Sequence, residues 1–539
     1  MDAPHREPIP PDLEIRTEAP DPIDSDDSDL GRPLSTPPAK TPVPPNRLVV
    51  LGDSLSQGFK SGAIHETNLA WPALVAGQMG WAAFRCPDFP GPAICPGQPL
   101  NIEALIRAME ARASRLPLSF GREMVTLTEV LVQIKEYWEH GPGSENPSNS
   151  EPNHNLATWG WDLGDASKKS LAWCQTQVDS GWLGGLRGLK SPIVAHSQER
   201  SAARTLWNDK LKPEDTNQVS AAKWLGDQGE GDQPGIETLV VELGANNALG
   251  SIISLEVHWS GDGFDDIGEK ARRGYNVWQP KHFKQELDEL VPLIAEIKAK
   301  HVVWCTVPHV TIAPLARGIG DKPSYSRYFS RYTHYWIPDS EFDATFSPCL
   351  TGQEARAIDS AIDAYNDQIK AVVIAARSDR PQRDWLLFDM CGLLDRLAYR
   401  RYLASPDSRP TWWTKGLGPY ELPEPLRMLT PRPDTRYLDG DQWGRTQGGL
   451  IALDGVHPTT IGYGVAAYEV MRVMQKAGVD FDGKDVNDPT FVESYWRSVL
   501  PTDTLIDREP LSLAEDVELV KILNEQFDLI RHLVRQAPV

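Results

Sequence analysis

An α/β fold with a mainly parallel sheet is what the sequence predicts, from two observations. Short apolar, β-branched runs recur at residues 46–51, 236–243, 302–307 and 385–388, each of a length that suits a buried strand. Longer patterns of helical period lie between them, notably 283–297 and 357–375. Strand and helix in alternation point to crossover connections and a sheet covered on both faces.

Taken in order along the chain, residues 1–46 hold 12 of the 45 prolines with 10 acidic and 4 basic side chains. So little apolar surface predicts a disordered acidic leader. The run Leu48-Val49-Val50-Leu51 ends at Gly52 and opens a domain expected to span 47–478. Two stretches, 86–154 and 165–235, interrupt the alternation and read as insertions. The first carries a helical pattern over 124–138, followed by a Gly/Pro/Ser/Asn loop over 140–155. A third insertion, 317–350, is aromatic and basic in places (Tyr325, Arg327, Tyr328, Phe329, Arg331, Tyr332), and either covers a site or packs on the body. Residues 479–539 form a C-terminal extension. In it Ser512 and Glu515 have capping-box spacing, and Leu513, Val517, Val520, Phe527, Ile530 and Val534 recur at helical intervals.

Composition excludes several functions. With 54 basic against 75 acidic side chains the net charge is −21, unsuited to capturing a phosphate backbone, so nucleic acid is not an expected partner. No run of about 18 apolar residues predicts an integral membrane segment, and the first residues lack the apolar stretch of a secretory signal. A soluble, cytoplasmic protein is the expectation. The six cysteines contain no C-x-x-C pair, so neither a zinc site nor a redox motif is expected. Cys86 and Cys95 alone are close enough in sequence to suggest a bridge, and buried thiols are the alternative. The acidic groups Asp262, Asp265 and Asp266, and Asp439 with Asp441, lack the spacing of a calcium loop and read as turns. No cofactor and no metal are called for.

Four local patterns carry chemistry. Gly52-Asp53-Ser54-Leu55-Ser56 falls where the first strand gives way to a loop or helix. Ser54 by itself is equally a helix N-cap. Asp454-Gly455-Val456-His457 sets a carboxylate three residues before an imidazole. An Asp on Nδ1 leaves Nε2 as a base, which a serine hydroxyl needs in order to attack. Asn246 follows the apolar run at 236–243, and Gly160 ends the segment from Asn155 through Trp159, with Trp161 next. Each could donate a hydrogen bond to an oxyanion, though taken alone each is more often a turn former.

The order of these four blocks resembles the SGNH (GDSL) hydrolase family over about residues 47–475. The resemblance implies a three-layer α/β/α, flavodoxin-like sandwich. It also implies a serine esterase or lipase acting through an acyl-enzyme, with Ser54 as nucleophile, His457 as base, Asp454 orienting it, and Gly160 and Asn246 with Ser54 as oxyanion donors. Asn155 sets the register that selects Gly160 over Gly164. Asn247 stands where the family has an aspartate, at a position that transfers no proton. Thr306-Val307-Pro308 and Tyr365-Asn366 are further resemblances. The expected partner is a small-molecule, lipid or glycan ester. Two alternatives stay open: a non-catalytic, Trp-rich module for glycans or proteins, and an acyltransferase to a sugar.

Overall fold

The computed structural model describes residues 6–23, 30, 43–113, 120–183, 194–261, 264, 274–379, 384–414, 417–441, 443–507 and 521. Its centre is a four-stranded parallel sheet of β1 (Asn46–Gly52), β2 (Ile236–Glu242), β3 (Ala299–Cys305) and β4 (Asp384–Phe388), paired in that order. Register carries the apolar runs into rows across the sheet. Val50, Val240, Val303 and Leu386 face one side; Leu51, Val241, Trp304 and Leu387 face the other. Both rows are almost fully buried, which is why these strands read as continuous apolar runs.

Helices cover both faces. On the Leu51 side lie α4 (Gln218–Gly226), α6 (Pro280–Glu296) and α7 (Gly352–Asp379). On the Val50 side lie α2 (Trp71–Gln78), α8 (Met390–Leu397), α9 (Thr460–Lys476) and α10 (Pro489–Val499). The remaining labels are α1 (Ser54–Gln57), α3 (Ser197–Leu206) and α5 (Asn246–Ser254). Beyond β1, residues 154–158 run along the free edge: the Val50 N–H donates to the His154 carbonyl, and the Leu156 and Thr158 N–H groups donate to Val50 and Gly52.

Several expectations need correction. The third strand starts at Ala299 and ends at Cys305 rather than running over 302–307, because buried His301 and Ala299 continue the pairing with β2 and β4. The stretch 165–235 is not wholly an insertion: α4 within it packs Val219, Ala222 and Leu225 on the sheet. Its small Ala-rich face gave little periodic signal. Leader residues 6–23 contain no helix or strand, yet they lie along the body. Arg6 pairs with Glu354, Arg16 with Asp367, and the Ile23 N–H donates to Asp389 (2.7 Å). Polar anchoring, with Leu13 buried between, supplies what apolar periodicity lacks. All six cysteines are free thiols, so Cys86 and Cys95 are not bridged.

The 317–350 stretch is a small antiparallel sheet of Ala316–Gly318, Arg331–His334 and Leu350–Thr351. The amphipathic pattern at 512–534 lies, Lys521 apart, outside the described residues, as do Asp262, Asp265 and Asp266. Asp439 and Asp441 sit in a hairpin and accept from nearby backbone N–H groups of Gly440 and Trp443. Among the described residues no helix is long and apolar enough to cross a membrane.

Candidate active site

The carboxyl ends of β1 and β2 gather the predicted residues, where α/β sites assemble. After β1 the chain turns at once into the single turn α1. The Asp53 carboxylate caps that turn by accepting from the Leu55 N–H (3.0 Å). The turn is tight enough that a Cβ on Gly52 would stand 2.7 Å from the Ser56 side chain, so a glycine is required. Ser54 thus starts a helical turn directly above the sheet, 5% exposed.

Asp454 and His457 reach it from the loop before α9. Ser54 Oγ lies 2.9 Å from His457 Nε2, and His457 Nδ1 lies 3.2 Å from Asp454 Oδ2. Asp454 also accepts from the Val456 and His457 N–H groups through Oδ1 and from the Gly62 N–H through Oδ2. Burial opposes its ionisation, but the facing His457 and these hydrogen bonds hold the carboxyl below the usual range. An ionised Asp454 puts the ring proton on Nδ1, leaving the Nε2 lone pair toward the serine. The Phe59 ring packs on the imidazole at 4.6 Å between centroids. From the small antiparallel sheet and beyond, Tyr335 and Tyr437 hydroxyls both donate to the Leu453 carbonyl, and the Leu315 N–H donates to Gly455 (2.9 Å). Tyr335 of the third insertion, with Leu315 just before it and Tyr437, therefore braces the loop that carries the histidine.

Asn246 opens α5, and its amide nitrogen donates both to Asp53 Oδ2 (3.2 Å) and to the Trp161 carbonyl (2.8 Å). It ties the residue before Ser54 to the residue after Gly160. Both amide hydrogens are engaged, so donation to a substrate oxygen requires one of these contacts to be given up or shared. Gly160 has φ +74°, and a Cβ there would fall 1.6 Å from Gln198 Nε2. Gly164, by contrast, has ordinary right-handed backbone ahead of the helix Asp165–Lys168. Asn155 donates to the Ser56 carbonyl (2.8 Å), and Gln57 accepts from the Trp159 N–H (2.8 Å), so the Gly160 segment is fastened to α1. Asn247 is a structural residue, accepting from the Leu163 N–H and donating to Glu286. Trp159 and Trp161 are buried and present no stacking face to solvent.

Two features escaped the sequence reading. Glu242, at the end of β2, is fully buried with Asp53 and accepts from the Ser56 hydroxyl (2.8 Å). Burial, tempered by the Leu55 N–H and His457, pushes Asp53 up to about 6; burial and the Asp53 charge push Glu242 well above its ordinary value. A glutamate in an otherwise apolar strand was the available signal. The second is a cluster of His309, Cys391 and Asp395, whose side-chain atoms could meet at one metal ion. His309 Nδ1 already faces Asp395 (3.0 Å) and Nε2 faces Asp363 (3.0 Å). Despite its burial, those carboxylates raise the imidazole well above its ordinary value. An imidazolium between two carboxylates has no free lone pair, so the cluster is better matched to an ion-pair network.

A hydroxyl hydrogen-bonded to an imidazole that is itself backed by a carboxylate can be deprotonated as it attacks an electrophilic carbon. No protein-family model matches the chain, and no curated protein matches it in sequence.

Proposed function

We propose that this protein is a serine hydrolase of the SGNH (GDSL) type, on a flavodoxin-like three-layer scaffold, that cleaves carboxylic or thio esters through an acyl-enzyme. The observation that carries the reading is the continuous hydrogen-bonded chain from Ser54 through His457 to Asp454. In the first half-reaction Ser54 Oγ bonds to the ester carbon while its proton passes to His457 Nε2. Asp454 holds the ring and stabilises the imidazolium. Charge on the carbonyl oxygen is met by the Ser54 and Gly160 N–H groups and the Asn246 amide. The tetrahedral species collapses as the ester C–O (or C–S) bond breaks, and His457 gives its proton to the leaving group. Water then repeats the cycle on the acyl-serine and returns Ser54.

The test is covalent labelling by a fluorophosphonate probe, run beside Ser54→Ala. Wild type is expected to label at Ser54 and the variant not to label. Wild-type protein that does not label while hydrolysing no p-nitrophenyl ester of any chain length would overturn the proposal.

A further inference from the structure

A pocket of about 400 Å³, counting the solvent it opens to, shares no residue with the Ser54 site. Thr311, Phe329 and three arginines, Arg327, Arg400 and Arg401, are among the residues that line it. Arg400 and Arg401 arrive from a π-helical turn, Tyr399–Leu403, and Arg327 from the third insertion. Turns of that kind are frequent at functional sites.

The charges are unequally compensated. Arg401 is 4% exposed and spends its guanidinium on Asp359 (2.8 Å) and the Thr311 hydroxyl. Arg400 donates to the Gly318 carbonyl (3.1 Å) and lies over the Phe329 ring. Arg327 is 7% exposed, set against the Tyr328 ring and beside the Tyr402 hydroxyl, yet its Nε and Nη1 are buried with no hydrogen-bond partner. Among the described residues, Asp359 is the carboxylate that hydrogen-bonds any of the three. Lys322, also over the Phe329 ring, donates to the Arg401 carbonyl and Ser408. Burial and the repulsion of Arg401 and Arg400 push its ammonium down to about 7.

Unsatisfied N–H groups of a buried guanidinium are costly, and the cost is relieved by an acceptor that brings negative charge. Carboxylate and phosphate both fit a guanidinium fork. Asp359 pairs with Arg401, Asp395 faces Arg401 and Arg327, and Asp339 faces Arg400. What remains unmet is hydrogen bonding at Arg327, and a phosphate group has more acceptor oxygens than a monocarboxylate with which to reach more than one fork. We propose that the pocket bounded by Arg327, Arg400 and Arg401 is a binding site for the phosphate group of a phosphate monoester or of free phosphate. The assignment does not depend on the hydrolase reading, since no residue of that site takes part.

Isothermal titration calorimetry on the full chain tests it, with inorganic phosphate, glycerol 3-phosphate and acetate as separate titrants. Saturable binding of a phosphate titrant is expected, weakened at least about tenfold in Arg327→Gln, with acetate giving no saturable heat. Arg400→Gln, at a half-buried position, is expected to weaken binding too and guards against a folding defect in the first variant; circular dichroism verifies both. Tighter binding of glycerol 3-phosphate than of inorganic phosphate identifies an organic phosphate as the ligand, and the reverse order free phosphate. Absence of saturable phosphate binding by wild type at tens of millimolar, or equal affinity in wild type and both folded variants, would overturn the proposal.

Discussion

The side-chain amide of Asn246 has two hydrogens, one committed to Asp53 and the other to the Trp161 carbonyl. A residue that assists only when charge develops on the substrate oxygen should affect turnover more than binding. On the proposed mechanism, Asn246→Ala is therefore expected to lower kcat about 100- to 1000-fold on a p-nitrophenyl ester with little change in KM. A fall confined to KM would assign the residue to substrate holding. The buried pair behind the serine makes a separate prediction. Asp53, pushed up to about 6, and Glu242, pushed well above its ordinary value, keep protons in the fold that the unfolded chain has released. Stability from such groups is present at low pH and is lost as pH rises from about 4 through 6 and beyond. Glu242→Gln keeps an acceptor for the Ser56 hydroxyl and removes one charge. Its Tm should exceed that of wild type by a few degrees near pH 8, and the gap should close near pH 5. An unchanged gap across that range would dissociate the two carboxyls.

At the scale of elements, the segment 154–158 shows how an irregular stretch becomes part of a sheet. Its docking rests on backbone bonds to β1 and on His154, whose Nδ1 accepts from the Arg85 N–H (2.8 Å) and whose Nε2 faces Asn46 Oδ1 (3.0 Å). That pairing requires a neutral ring, and burial together with nearby Arg85 pushes His154 down to about 3. The unfolded chain takes up the proton near its ordinary value of about 6.5. The fold refuses it until about pH 3, so stability falls as pH drops through that window, by up to about 1.4 kcal/mol per pH unit. In urea titrations between those limits, His154→Gln should show a slope shallower by one proton. Identical slopes would mean that the ring is not held neutral. The third insertion works at the same scale. Its Tyr335 hydroxyl meets the Leu453 carbonyl of the histidine loop, while its far side carries Arg327 to the proposed phosphate pocket.

For the whole molecule, the apolar runs foretold the sheet because a strand buried on both faces needs adjacent apolar residues, and adjacency is visible along a chain. The Gly52–Ser56 and Asp454–His457 patterns were legible for a similar reason: capping and the Asp–His contact act within a few residues. Helix α4 was harder to see because its sheet-facing side is mostly alanine, and the docking of the leader because its anchors are ion pairs to α7 far along the chain. What the sequence by itself determined is the strands of the sheet, their order along the chain and the local motifs now gathered at the candidate site. Only the tertiary structure decided that Ser54 and His457 meet at 2.9 Å, that Asp53 is buried with Glu242, and that Arg327 is brought to one pocket with Arg400 and Arg401. The physical reason is range. Periodicity and capping arise between neighbours in sequence, whereas the charge and hydrogen-bond balance of a buried polar group depends on whichever distant residues the packing brings against it.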